Sequence, residues 1–267
     1  MKNFSDLIEY LESNHHYAQV DEMIKIALDL SLIDPSASGF YADYYNEIPP
    51  RMKGVIKDEI GQLPEDVGIK QYKWISAGNE EIIKDNLALI YIAPYVAKMT
   101  NFKTPTIGAN MPLSSVISKR INVMQHLPGV HLDSYLEKYF DWDIQSAFID
   151  STENSITHAL GEIDVTTNDL HAGNYLVNPK LVDLKINIIK SDPKFSQDFK
   201  ILYKKYPEWF DVSEGASLLD FGSYSCGSSS APGQAMKNFV DKLNSRNSDN
   251  GLFQEIDSVV NDMTRLK

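Results

Sequence analysis

Near the N-terminus, apolar residues recur three and four positions apart, which is the spacing of one helix face. Two such stripes predict two short helices, at Phe4, Leu7, Ile8 and Leu11 and at Val20, Met23, Ile24 and Ala27. Together they predict a helical extension over residues 1–29.

Residues 30–125 have the pattern of a strand-rich region. Short apolar or aromatic runs, separated by proline-containing breaks, predict strands at 30–34, 41–48 and 52–57, and further extended segments at 104–109 and 121–125. One helix is expected to begin after a cap at Asn79, to bury Ile83, Leu87 and Ile90, and to end near Pro94.

After Pro128-Gly129 the helical spacing returns. Helices are predicted over 143–161, 195–206, 236–243 and 252–263, and brief strands over 175–177 and 218–221. The Ser/Gly-rich run 223–230 predicts a loop. The whole pattern predicts an α+β protein with a small strand-rich part before a mostly helical part.

The composition of the chain disfavours some classes of binding partner. The 267 residues contain 25 Lys+Arg and 37 Asp+Glu, a net charge of −12, which disfavours binding to nucleic acid. No apolar run approaches the ~18 residues of a membrane span, and the N-terminus lacks a signal-peptide core. A single cysteine, Cys226, fits a reducing compartment. We therefore expect a cytoplasmic protein with neither a nucleic-acid nor a membrane partner.

Two short motifs carry candidate chemistry. In Asn168-Asp169-Leu170-His171-Ala172-Gly173-Asn174, the Asp169 carboxylate can accept a hydroxyl proton and the Asn174 amide oxygen can bind a divalent cation. In Leu218-Leu219-Asp220-Phe221-Gly222, an acidic residue leaves a hydrophobic run before a glycine, a position suited to bridging Mg²⁺ to nucleotide phosphates.

These motifs resemble the catalytic core of the protein-kinase-like superfamily, especially its atypical and aminoglycoside-phosphotransferase-like branches with their D-x-H-x-G-N loop. The resemblance implies a bilobal fold, with an N-lobe at 30–125 and a C-lobe at 126–267 carrying a helical insertion at about 181–215. It implies ATP and Mg²⁺ as cofactors, Asp169 as catalytic base, and Asn174 and Asp220 as metal ligands. Asp183 is the alternative metal carboxylate.

The same template assigns nucleotide-binding residues upstream. Gly39 lies where the glycine-rich loop belongs, and Lys57, 18 residues later, resembles the phosphate-binding lysine. Lys70 in Val67-Gly68-Ile69-Lys70 is the alternative. Glu80, or the adjacent Glu81, is the expected partner of that lysine. Gln125 and Leu127 resemble the hinge that receives adenine.

Several positions depart from the family pattern. Thr167-Asn168 replaces the histidine-containing entrance to the catalytic loop, Asp220 follows Asn174 by 46 residues, and no A-P-E element follows Asp220. The predicted function is ATP- and Mg²⁺-dependent phosphoryl transfer to a hydroxyl of a small-molecule or atypical protein acceptor. A pseudokinase that binds protein partners, and a nucleotidyl transferase that moves AMP, are the alternatives.

Overall fold

The computed structural model describes residues 33–39, 41–47, 50, 67–73, 80–105, 121–139, 141–193, 199–245 and 251–265. These residues form two compact units of an α+β protein. The described residues of unit 1 lie within Met1–Pro94, Pro105–His126 and Ser225–Lys267. Those of unit 2 lie within Tyr95–Thr104 and Leu127–Tyr224. The predicted helical extension 1–29 and the predicted strand 52–57 lie outside the described residues, and the predicted lobe boundaries stay a prediction.

Unit 1 contains a four-stranded antiparallel sheet in the order β1-β2-β3-β4. Its strands are β1 (Ala37–Ser38), β2 (Ala42–Tyr45), β3 (Val67–Tyr72) and β4 (Ile121–Gln125). Tyr44 pairs with Lys70, and Gly68 pairs with Met124. Because side chains alternate between the faces of a strand, Gly68, Lys70 and Tyr72 share one face of β3.

A helical segment follows the sheet and continues past the proline at which it was predicted to end. It comprises α1 (Glu80–Leu87), a π-helical turn (Ala88–Ile92) and α2 (Ala93–Met99). In the π turn the Ala93 N–H donates to the Ala88 carbonyl, five residues back. This wider turn accommodates Pro94, whose ring and missing N–H would disrupt an ordinary α-helical turn.

Unit 2 is mainly helical. Its elements are β5 (Val130–His131), α3 (Leu132–Leu136), α4 (Trp142–Glu162), β6 (Val165–Thr167), β7 (Tyr175–Val177), α5 (Pro179–Ser191), α6 (Phe199–Lys205) and β8 (Ser217–Leu218). Asp141 caps α4 and Asn178 caps α5 through side-chain oxygens that accept backbone N–H groups. The buried Phe148 and Phe210 rings pack edge to face, with centroids 5.4 Å apart.

The C-terminal elements are β9 (Tyr224–Gly227), α7 (Ala231–Asn244), α8 (Gly251–Met263) and β10 (Thr264–Arg265). In unit 1, α8 packs against both α7 and α1. The predicted loop 223–230 is thus wrong in part, because Cys226 is buried in β9 and pairs with Thr264 of β10. Within the described part of the chain, no helix has both the length and the apolar character required to cross a membrane.

Candidate active site

The loop from Asp169 to Asn174 is held by its own hydrogen bonds between β6 and β7. The Asn174 Nδ2 donates to the Asp169 carbonyl at 2.9 Å and to Asp169 Oδ2 at 3.3 Å. The His171 carbonyl accepts the Asn174 N–H at 2.7 Å, and His171 Nδ1 accepts the Gly173 N–H at 3.2 Å. His171 therefore shapes the loop. Asn174 Nδ2 makes both side-chain bonds, so Oδ1, the oxygen expected to bind a metal ion, takes no part in them.

Strand pairing connects this loop to Asp220. In the β7–β8 ladder Tyr175 pairs with Leu218, and the Leu219 N–H donates to the Asn174 carbonyl at 2.8 Å. Asp220 is the next residue after Leu219, so it lies at the same end of the ladder as Asn174.

The backbone at Asp220 is unusual. Its φ of 51° and ψ of 69° lie in the left-handed region, which non-glycine residues enter rarely and which Asp and Asn tolerate best. The fully buried Phe221 follows and stacks on Tyr224 with ring centroids 4.2 Å apart. Packing of Phe221 thus holds the Asp220 backbone in a conformation of the kind that concentrates at functional sites.

Tyr224 and a hydroxyl pair connect the two candidate motifs. Burial raises the pKa of Tyr224, and the negative charges of Asp220 and then Asp169 raise it further. The Thr167 and Ser223 hydroxyls, which flank the two motifs, are hydrogen-bonded at 2.8 Å. The structure therefore brings Asp169, Asn174 and Asp220 together within unit 2.

The donor set at this place suits a phosphate-bound Mg²⁺. Among the described residues there is no group of three or more His, Cys, Asp and Glu that could hold a metal ion. Mg²⁺ commonly binds through one or two carboxylates and completes its octahedron with phosphate oxygens and water. The Asp220 carboxylate and the Asn174 amide oxygen provide ligands of that kind.

Asp183, the alternative metal carboxylate, has other partners. It lies on α5 and accepts hydrogen bonds from Lys138 at 2.9 Å, Tyr139 at 2.7 Å and Tyr135 at 2.8 Å. The Lys138 bond, followed by the two tyrosine bonds, lowers the pKa of Asp183 to about 2. Asp183 therefore joins α5 to the end of α3.

Unit 1 has a largely buried ion pair between β3 and α1. Lys70 Nζ lies 2.9 Å from Asp85 Oδ2, with the side chains 17% and 3% exposed. The Tyr72 hydroxyl also donates to Asp85 Oδ2. A lysine in this setting is held at a fixed position on the face that it shares with Gly68.

Those of the other predicted nucleotide-binding residues that the structure describes belong to different elements. Lys57 is outside the described residues. Glu80 forms an ion pair with Lys84 at 2.8 Å. Gly39 closes the β1–β2 turn through its N–H to the Ala42 carbonyl at 2.8 Å. Gln125 is the last residue of β4 in unit 1, and Leu127 is buried in unit 2.

Sequence reasoning missed two acidic residues, Asp85 beside Lys70 in unit 1 and Glu153 on α4 in unit 2. Asp85 lies in a buried stripe at helical spacing, formed by Ile82, Asp85, Asn86 and Leu89. A charge inside an apolar stripe is the signal that could have identified it. Burial, followed by repulsion from Asp150, raises the pKa of Glu153 of α4, while His171 of the loop opposes the rise, and no local pattern marks this residue.

Comparisons with known proteins found distant similarity only. No protein-family model matches the sequence, and no curated protein matches it. The chain is similar to the structure of WbdD with the kinase inhibitor LY294002, at 14% identity and a TM-score of 0.34, covering 85% of this chain and 44% of that one. It is also similar to a structure of WbdD described as a bifunctional kinase-methyltransferase, at 17% identity and a TM-score of 0.33, covering 76% and 38%.

The chain thus spans less than half the length of these WbdD structures.

Proposed function

We propose that the protein transfers the γ-phosphoryl group of ATP to a hydroxyl of a small-molecule or protein acceptor. The observation that carries the proposal is the convergence of Asp169, Asn174 and Asp220 at one end of the β7–β8 ladder. One carboxylate is then available as a base, while a second carboxylate and an amide oxygen are available as metal ligands.

In this proposal, Asp169 accepts the proton of the acceptor hydroxyl while the acceptor oxygen bonds to phosphorus and the bond to the ADP oxygen breaks. The half-exposed Asp169 side chain suits a group that must reach a substrate. Asn174 and Asp220 would hold Mg²⁺, which supplies charge neutralisation for the phosphates. Asn174 also orients Asp169 through its hydrogen bond to Oδ2.

Lys70 is the phosphate-binding lysine that the contacts of unit 1 support. The role requires a fixed positive charge on a strand, and the buried Asp85 carboxylate fixes the Lys70 ammonium at 2.9 Å. Lys70 was the alternative to Lys57 in the sequence-based prediction. Substitution of each lysine in turn distinguishes Lys70 from Lys57.

Asp220→Asn tests the metal role. Asparagine tolerates left-handed backbone as well as aspartate does, so this variant keeps the conformation and removes the charge. For the wild type, ligand at about 100 times Kd adds ~2.7 kcal/mol, which raises Tm by several degrees when Mg²⁺ and ATP are both present. We expect Asp220→Asn to lose the Mg²⁺-dependent part of this rise.

Asp241→Asn, at an exposed position on α7, is the matched control and should keep the full rise. An undiminished Mg²⁺-dependent rise in folded Asp220→Asn would contradict the metal role of Asp220.

A further inference from the structure

Gly68 lies on the face of β3 that carries Lys70, and a tyrosine covers it. Its partner across the sheet is Met124 of β4, and both of these residues are buried. A glycine inside a strand often marks a place where a ligand or another backbone approaches closely. At Gly68 a side chain makes this approach, because an added Cβ would overlap the hydroxyl, Cζ and Cε2 atoms of Tyr44. The Tyr44 ring therefore occupies the surface of the sheet above Gly68.

A hydrogen bond holds the Tyr44 ring in this position. The Tyr44 hydroxyl is 3.1 Å from Nδ1 of His126, the residue that follows β4. The two rings are inclined by 27°, with their centroids 6.2 Å apart. Both residues are half-buried. Rotation of the Tyr44 side chain to another rotamer would break this bond and uncover Gly68, while the pairing of the strands stays intact.

The candidate phosphate-binding lysine lies beside the covered surface. Lys70 is the direct cross-strand partner of Tyr44, and it is two residues from Gly68, ~7 Å along the strand. The Asp85 carboxylate fixes the Lys70 ammonium group at 2.9 Å. The face thus has a fixed cation next to a buried apolar surface at Gly68 and Met124. These two parts together suit a ligand in which an anionic group is joined to a flat ring.

We propose that Tyr44 is a plug, which excludes the base and ribose of ATP from the surface above Gly68 until the Tyr44–His126 hydrogen bond opens. This inference rests on the proposed function, because it takes Lys70 as the phosphate-binding residue. A protein that binds its ligand only in an open state has its apparent affinity reduced by the fraction of molecules that are open. Substitutions that open the plug should therefore strengthen ATP binding.

The test uses full-length variants that open the plug by different routes. Y44F keeps the ring and removes the hydroxyl, and H126A removes the other partner of the bond. The double variant Y44F/H126A shows whether the two residues act through the same interaction. Y44A removes the ring itself. Y41F is the matched control, because Tyr41 comes directly before β2 and is 47% exposed.

Calorimetric titration in the presence of Mg²⁺ compares two ligands, ATP and inorganic tripolyphosphate. Tripolyphosphate offers phosphates to Lys70 but has no base or ribose for the plug to exclude. We expect Y44F and H126A each to bind ATP about 2–10-fold more tightly than the wild type, which corresponds to the net contribution of one hydrogen bond. The double variant should gain no more than either single variant, and Y44A should gain about tenfold or more.

The controls separate exclusion of the base and ribose from other effects. Tripolyphosphate should bind the wild type and all variants within about twofold, and Y41F should bind ATP as the wild type does. Melting temperatures show which variants are folded. If Y44A does not fold, Y44F and H126A decide the matter, because they keep the Tyr44 ring in the sheet.

Four results would overturn the plug. They are equal ATP affinity in the wild type and the folded variants, weaker ATP binding by folded Y44A, additive gains in the double variant, and equal gains for ATP and tripolyphosphate. If tripolyphosphate binds while no variant gains affinity for ATP, the plug is wrong and the phosphate-binding role of Lys70 stands. If neither ligand binds any of the proteins, the proposed function is refuted and the plug with it.

Discussion

At the scale of single residues, the Lys70–Asp85 pair shows how strongly one contact can constrain a site. Removing one partner of a buried ion pair typically costs ~3–5 kcal/mol, because the other charge remains buried without compensation. Lys70 is 17% exposed and Asp85 is 3% exposed on their side chains. Lys70 therefore stabilises the fold of unit 1, whatever its role in ligand binding. A test of that role has to measure both the stability of the variant and its affinity for the ligand.

We expect Lys70→Met to weaken ATP binding by about tenfold or more, because hydrogen bonds to charged groups contribute ~1.5–3 kcal/mol. The loop-to-lysine spacing alone predicts a larger effect for Lys57→Met. Calorimetric titration of both variants with ATP and Mg²⁺ decides between these expectations.

Lys84→Met is the matched control, because Lys84 is paired with Glu80 in the same unit. Melting temperatures of all three variants show whether unit 1 remains folded. If Lys57→Met binds ATP more weakly and Lys70→Met binds it as the wild type does, Lys57 is the phosphate-binding lysine and the role proposed for Lys70 is wrong.

At the scale of elements, the Tyr44 side chain of β2 packs closely against Gly68 of β3. A Cβ added at Gly68 would overlap the hydroxyl end of the Tyr44 ring, so only glycine permits this close approach. The Tyr44 hydroxyl is also 3.1 Å from His126 Nδ1, and burial raises the pKa of Tyr44 to about 12. The Tyr44 ring thus covers Gly68 and reaches the residue after β4.

Gly68→Ala should therefore destabilise the protein by ~1–3 kcal/mol, the usual cost of overpacking. Tyr44→Ala removes the obstructing ring. The double variant should therefore lose less free energy of unfolding than the sum of the losses in the two single variants. Denaturant unfolding of the four proteins measures this coupling. Additive effects would show that Tyr44 does not occupy the space above Gly68.

The hydrogen bonds to Asp183 join α5 to the end of α3 and should make stability depend on pH. The pKa of Asp183 is lowered to about 2 in the folded protein, against ~3.9 in an unfolded chain. A lowered pKa contributes stability above the unfolded value, and this contribution disappears as pH falls from about 4 to about 2. The size is modest, ~0.2–1 kcal/mol, because the side chain is 42% exposed.

Asp183→Asn should accordingly lower Tm slightly at pH 7 and flatten the loss of Tm between pH 4 and pH 2. Asp257→Asn, at an exposed position on α8, is the control. Parallel pH profiles for Asp183→Asn and the wild type would disprove the linkage.

Elements defined by local periodicity were predicted well. The strand at 175–177 has the predicted bounds, and the helix predicted at 143–161 differs by one residue at each end. Two features that depend on contacts between separate parts of the fold were missed. The π turn before Pro94 and the pairing of Cys226 with Thr264 follow from contacts that local composition does not encode.

The residues of the candidate site also divide into those that the sequence could identify and those that it could not. Asp169 and Asn174 could be recognised because they lie in one contiguous motif. Asp85 pairs with a lysine 15 positions away, and the pKa of Glu153 is influenced by His171, 18 positions away. These distances along the chain depend on how helices and strands pack, so a single sequence gives little information about them.

At the scale of the whole molecule, the net charge of −12 sets a condition on nucleotide binding. A polyanionic ligand is repelled by an acidic protein unless cations are concentrated where it binds. Bound divalent cations can be the largest local charges in such a site. We therefore expect ATP binding to depend strongly on Mg²⁺. The proposed function predicts in addition that the γ-phosphoryl group of bound ATP is transferred to a hydroxyl.

Transfer of label from γ-labelled ATP, compared between the wild type and Asp169→Asn, tests the central claim most directly. The amide oxygen that this substitution introduces can still accept the Asn174 Nδ2 hydrogen bond, so the loop bond is kept while the base is removed. General-base contributions of ~10²–10⁴-fold predict a fall in transfer of that size with unchanged ATP affinity. Asp241→Asn should transfer label as the wild type does, and α-labelled ATP should leave no label on an acceptor.

Three results would contradict the account. Movement of the α-label would indicate nucleotidyl transfer. Binding of ATP without movement of either label would indicate a binding module. Equal transfer by the wild type and Asp169→Asn, with ATP affinity unchanged, would show that Asp169 is not the catalytic base.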